Sequence, residues 1–91
     1  MRDRIADEKM INELFELIVS LQTKEECEIL FGDLCTMKEL EQMAQRVKAA
    51  KLLLEGKTFK EVIEVCNISP TTLSRVSRCV KYGKGYVKFL G

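Results

Sequence analysis

The sequence contains no histidine, and its four cysteines, Cys27, Cys35, Cys66 and Cys79, form no CxxC pair. Without an imidazole the chain lacks the side chain that titrates near neutral pH, and no base stands beside any cysteine to activate it. A zinc site would need all four thiolates at irregular spacing. No metal or other cofactor is therefore expected, and the thiols read as free and buried in a reducing cytoplasm. There is no phosphate-cradling glycine loop and no evident pocket of paired carboxylates, which argues against an enzyme. The longest apolar run is far too short to span a bilayer. The opening MRDRIADEK is charged, so no signal peptide is expected and the protein is placed in the cytoplasm. No stretch alternates with period two, so no strand is expected. Repeats and low-complexity segments are absent too.

What is present fits one small all-α domain over residues 1–91. The hydrophobic fraction of 46% supports a core, but a chain this short buries a modest share of its surface, and pairing with a second copy would help. The net charge is only +1. Its distribution is uneven. Residues 1–64 hold 10 Lys/Arg and 14 Asp/Glu, whereas residues 65–91 hold five basic residues and no acid. That end of the chain is the one suited to phosphates.

Five to six helices are expected, five of them at about 10–22, 24–34, 37–54, 59–66 and 70–81, with residues 1–9 a frayed lead-in. In the first, Ile11, Leu14, Phe15, Ile18 and Leu21 follow the i, i+3, i+4, i+7 pattern. Leu17 and Val19 widen the arc beyond what one small core uses, which favours packing on a second subunit. Capping boxes at Thr23–Glu26 and Thr36–Glu39 open the next two. Cys27, Leu30, Phe31 and Leu34 share a face of the second. Gly32 means either that this helix ends nearby or that another backbone passes close. The third carries Leu40, Met43, Ala44, Val47 and Leu54 in one stripe with Ala50 beside it, and stops at Gly56. The tail KYGKGYVKFLG breaks at Gly83 and Gly85, and its Tyr86, Val87, Phe89 and Leu90 either dock on the core or a partner or stay mobile.

Residues 58–80 read as a helix-turn-helix. Thr58 and Glu61 make a third capping box. Val62, Ile63, Val65 and Cys66 give the first helix its buried side. Asn67 falls where the turn needs positive φ, which asparagine tolerates next best to glycine. Ser69 caps the second helix, and Pro70 suits its first position. At about 100° per residue, Leu73, Val76, Ser77 and Val80 face the domain, and Thr71, Arg75, Arg78 and Tyr82 face away. Arginine can pair bidentately with guanine in the major groove, and threonine can meet a thymine methyl or a phosphate. An ordinary solvated polar face is the alternative. On the DNA reading, Arg75 and Arg78 touch bases or nearby phosphates with Thr71, Thr72 and Ser74 beside them. Lys57, Lys60 and Lys81 neutralise phosphates, and the Ser69 end offers free N–H groups.

Gln45-Arg46-Val47 on the long helix, Leu53-Leu54-Glu55-Gly56, and the Thr58–Arg75 unit that follows resemble the Trp repressor superfamily. Asp33-Leu34-Cys35-Thr36, Ala44-Gln45-Arg46, Ser74-Arg75-Val76, Arg78-Cys79 and Tyr82-Gly83 are similar to its YerC/YecD branch. The resemblance covers roughly residues 8–88. It implies an all-helical intertwined homodimer whose two recognition helices lie about 34 Å apart, to meet a palindromic operator on double-stranded DNA. It also implies an effector cleft. Arg46 and Arg75 stand where the Trp repressor has two ligand-binding arginines, and Thr72 stands where it has a threonine. Val76 replaces a glycine and Cys79 a serine. Valine fills the space a flat indole needs and cysteine removes a hydroxyl, so tryptophan is not expected to bind in the repressor's manner. Another small effector, or none, remains open. So does a plain salt bridge from Arg46 to Glu39, Glu41 or Glu64. The function expected is a homodimeric, sequence-specific transcriptional regulator; the alternative is a dimeric protein-interaction module that has lost DNA binding.

Overall fold

The computed structural model describes residues 4–91, with side chains from Asp7 onward. Six helices follow one another: α1 (Arg4–Val19), α2 (Lys24–Leu34), α3 (Met37–Leu54), α4 (Phe59–Cys66), α5 (Pro70–Tyr82) and α6 (Gly85–Leu90). There is no strand among the described residues. The chain divides into two compact units, residues 1–36 and 37–91.

In the first unit, α1 begins at Arg4, earlier than the expected residue 10. Ala6 to Lys9 are mostly strong helix formers, which carry the helix back. Residues 1–3 of the expected frayed start lie outside the described residues. The helix also ends at Val19 rather than Gln22. The Ser20 hydroxyl donates to the Leu17 carbonyl at 2.6 Å, an arrangement that competes with helix continuation. Thr23 is extended, as an N-cap requires, and its side chain accepts from the Glu26 N–H at 3.1 Å. The Glu26 carboxylate reaches back to the Gln22 N–H rather than to that of Thr23. α2 runs straight through Gly32, and a Cβ there would meet nothing within 4 Å. Of the two readings of that glycine, the first holds, since α2 ends two residues later at Leu34, and among the described residues no other backbone passes close. No described side chain of this unit is fully buried. Met10, Ile11, Phe15, Leu17, Val19, Ile29 and Leu34 are all exposed.

The second unit holds the whole core: Ala49, Ala50, Leu52, Val62, Cys66, Ile68, Leu73 and Val76. α3 is its spine, packing against α4, α5 and α6. The stripe expected on α3 is not the side that makes this core. Val47 is 48% exposed, Ala44 is exposed, and Leu40, Met43 and Leu54 are half-buried. At about 100° per residue Ala49 and Leu52 lie largely across the helix from that stripe, and Ala50 borders it. α3 is thus apolar on two sides, and the small side chains of Ala49 and Ala50 let α4 and α5 approach closely. Its end is a Schellman motif: Lys57 N–H bonds the Leu52 carbonyl, Gly56 N–H bonds that of Leu53, and Gly56 has φ of 89°.

The tail is a sixth helix rather than a loose end. Gly83 closes α5, its N–H bonding the Cys79 carbonyl at 2.8 Å. Gly85 does not break a helix but begins α6. Tyr86 and Leu90 pack against the core, and Val87 and Phe89 are exposed.

Candidate nucleic-acid interface

The helix-turn-helix forms as its local chemistry dictates. Thr58 caps α4, its hydroxyl accepting from the Glu61 N–H at 3.2 Å. Asn67 occupies the left-handed region at φ 54°, ψ 38°, and its N–H closes the turn on the Ile63 carbonyl. Ile68 is 4% exposed and pins the turn to the core. Ser69 caps α5 by accepting from the Thr72 N–H at 3.2 Å, with Pro70 as the first helical residue.

α5 then presents two faces. Leu73 and Val76 are buried and Ser77 and Val80 half-buried. Thr71, Ser74, Arg75, Arg78, Lys81 and Tyr82 are exposed. Ser69, Lys57 and Lys60 are exposed as well, while Thr72 is half-buried. Every side chain expected to meet DNA is thus solvent-accessible, and the two that fix the helix, Leu73 and Val76, are not. The first helix of the motif differs at one position. Val65, expected to be buried, is 63% exposed. It sits at the edge of the α4 apolar arc, which is centred on Val62 and Cys66, and it lines a shallow hollow with Leu52, Lys57, Glu61 and Glu64.

Of the expected effector-cleft residues, Arg46 and Thr72 share one cavity and Cys79 lines another. Val76 is 1% exposed, inside the core. Arg75 is exposed. Cys79 lines an apolar cavity with Val47, Tyr86, Phe89 and Leu90, about 440 Å³ in volume. Arg46 and Thr72 line a separate, polar cavity of about 380 Å³ with Gln42, Gln45, Asn67, Ile68 and Ser69. The glutamines and the turn residues of that second cavity were not expected as site residues. Their signal in the sequence is spacing alone: Gln42, Gln45 and Arg46 recur at i, i+3, i+4 on α3. Among the described residues Arg46 makes no ion pair, so the salt bridge to Glu39, Glu41 or Glu64 does not form.

Comparison with known proteins decides the family. The sequence model of the Trp repressor protein family matches residues 9–90. The chain belongs to that family. It is 43% identical over 75 residues to the uncharacterized protein YerC of Bacillus subtilis (strain 168), covering 82% of this chain and 72% of YerC. The fold agrees with a Staphylococcus aureus protein proposed to be a Trp repressor. The match has a TM-score of 0.87 and 33% identity, over 98% of this chain and 92% of that one. A TrpR-like protein from Eubacterium eligens superposes with a TM-score of 0.84 at 36% identity, over 88% of this chain and 84% of its own. Family members are regulators by type rather than enzymes. No helix among the described residues is long and apolar enough to cross a membrane.

Proposed function

We propose that this protein is a sequence-specific DNA-binding transcriptional regulator that acts as a homodimer and does not respond to tryptophan. The observation that carries the reading is the two-faced α5. Its core side is locked by Leu73 and Val76, and its outer side offers Thr71, Ser74, Arg75 and Arg78 to a groove. The acid-free stretch after Glu64 supplies the charge phosphates require. Lys57, Lys60 and Lys81 neutralise backbone phosphates, and at the start of α5, where Ser69 already takes the Thr72 and Leu73 N–H groups, the Thr71 N–H is left to meet one.

Pairing is supported by the apolar surface left uncovered. An amphipathic helix such as α1 needs a partner for Ile11, Phe15 and Leu17. Membership of the family supports an intertwined two-fold dimer, which would set the reading helices about 34 Å apart on one face of a palindromic operator. Independence from tryptophan is supported by Val76, whose branched side chain is packed into the core where an indole would need space.

Selection of bound fragments from a sheared genome with the full chain tests the reading. The expected result is enrichment of a two-fold symmetric site whose half-sites lie about one helical turn apart, unchanged by added tryptophan. Recovery of no sequence above background would overturn it.

A further inference from the structure

The corner where α5 gives way to α6 carries a surface that neither the core nor the proposed reading face uses. Tyr82, on the last turn of α5, is 82% exposed, and Phe89, on α6, is 78% exposed. They are the two most exposed of the chain's six aromatic residues. Phe89 lines one hollow with Gly83, the residue after Tyr82, so the two rings stand at the same corner. Lys84 and Lys88 are exposed between them in sequence, and neither pairs with a carboxylate among the described residues. No Asp or Glu occurs from Val65 to Gly91. α6 turns Tyr86 and Leu90 toward the core, which leaves Lys88 and Phe89 on its open side. The Lys88 Nζ stands over the Phe89 ring, 5.4 Å from its centre.

Exposed rings interleaved with unpaired lysines suit a polyanion that also carries flat faces. A single-stranded nucleic acid has both: its unstacked bases lie on aromatic rings and its phosphates meet lysines. A duplex keeps its bases stacked on one another and has no free base to lay on Tyr82 or Phe89. The Phe89 face already holds a cation through its π-electrons. A base stacking there would release the Lys88 ammonium to the adjoining phosphate. An anionic membrane is the poorer fit, because α6 is only six residues long and its more apolar side is taken by the core. We infer that the α5–α6 corner binds single-stranded DNA or RNA, with Tyr82 and Phe89 as stacking platforms and Lys84 and Lys88 as phosphate contacts. None of the proposed duplex-reading side chains takes part.

The test titrates labelled oligothymidylate and oligouridylate of about 12 nucleotides with the full chain at low salt, followed by anisotropy and by tyrosine emission. The chain has no tryptophan, so Tyr82 and Tyr86 supply that emission. Saturable binding is expected, with the emission quenched as Tyr82 stacks. Phe89→Leu and Tyr82→Leu keep an apolar side chain and should each weaken binding about tenfold. Replacing Lys84 and Lys88 together by Gln should flatten the log–log salt slope by about 1.4. Native helix content and melting temperature check that each variant folds. Phe89→Leu should leave affinity for a selected duplex unchanged, which separates this surface from the reading face. Failure to hold either oligonucleotide, folded leucine variants that bind as the parent does, or capture by phosphatidylglycerol vesicles alone would each overturn the inference. Oligonucleotide binding by a protein that retains no duplex would sink the proposed function and leave this surface standing.

Discussion

Asn67 shows how one side chain sets the geometry of the motif. It is the one non-glycine among the described residues with positive φ, and its short polar side chain tolerates the left-handed conformation that bulkier residues pay about 1–2 kcal/mol to adopt. Asn67→Val should lower unfolding free energy by about that amount in chemical denaturation, and Asn67→Gly should cost far less. Equal losses for the two would show that side-chain contacts, not backbone conformation, matter there. Arg75 sits at the other end of the argument. It is exposed and belongs to neither cavity, so Arg75→Ala should leave stability unchanged while weakening binding to a specific site by about 1–3 kcal/mol. Unchanged affinity in a direct titration would remove it from the reading set. Both residues could be read from the sequence, because turn chemistry and helical periodicity are local signals. Val65 could not be placed that way. Composition marks it as apolar, but only packing shows that the α4 arc is narrower than the run of apolar residues that encodes it.

At the scale of elements, the end of α5 and the start of α6 depend on Gly83. A Cβ there would stand 2.6 Å from the Cys79 carbonyl oxygen, which is backbone and cannot swing aside. Gly83→Ala should therefore destabilise the fold by about 1–3 kcal/mol. Gly85→Ala, with nothing within 4 Å of the added Cβ, should not, as thermal melts of the two variants would show. The contrast also explains why α6 was hidden in the sequence. Two glycines in three residues signal a break, and they cannot say that one closes a helix while the other opens the next. α3 was half legible for a related reason. Its length and its Gly56 stop are encoded locally, but a helix apolar on two sides does not declare which side meets α4 and α5. The candidate cleft illustrates the same limit. The resemblance set Arg46 and Thr72 in one cleft with Cys79; Arg46 and Thr72 line one cavity and Cys79 another, a difference that depends on packing and has no local signal.

For the molecule as a whole, the proposed function requires a second copy. The first unit buries no described side chain fully, and α1 leaves Ile11 at 52% and Phe15 at 58% exposed. Placing a charge on that stripe, as in Phe15→Asp, should shift the sedimentation-equilibrium mass from two chains toward one and weaken operator binding in step. A parent protein that sediments as a single chain at micromolar concentration would contradict the dimer. In the proposed dimer two reading helices act together, so their phosphate contacts sum. The most direct measurement of the central claim is the affinity of the dimer for a selected site across a salt series. With about six phosphates neutralised per dimer, log K should fall against log[salt] with a slope near −5. A slope near zero, or no retained DNA at low salt, would contradict it.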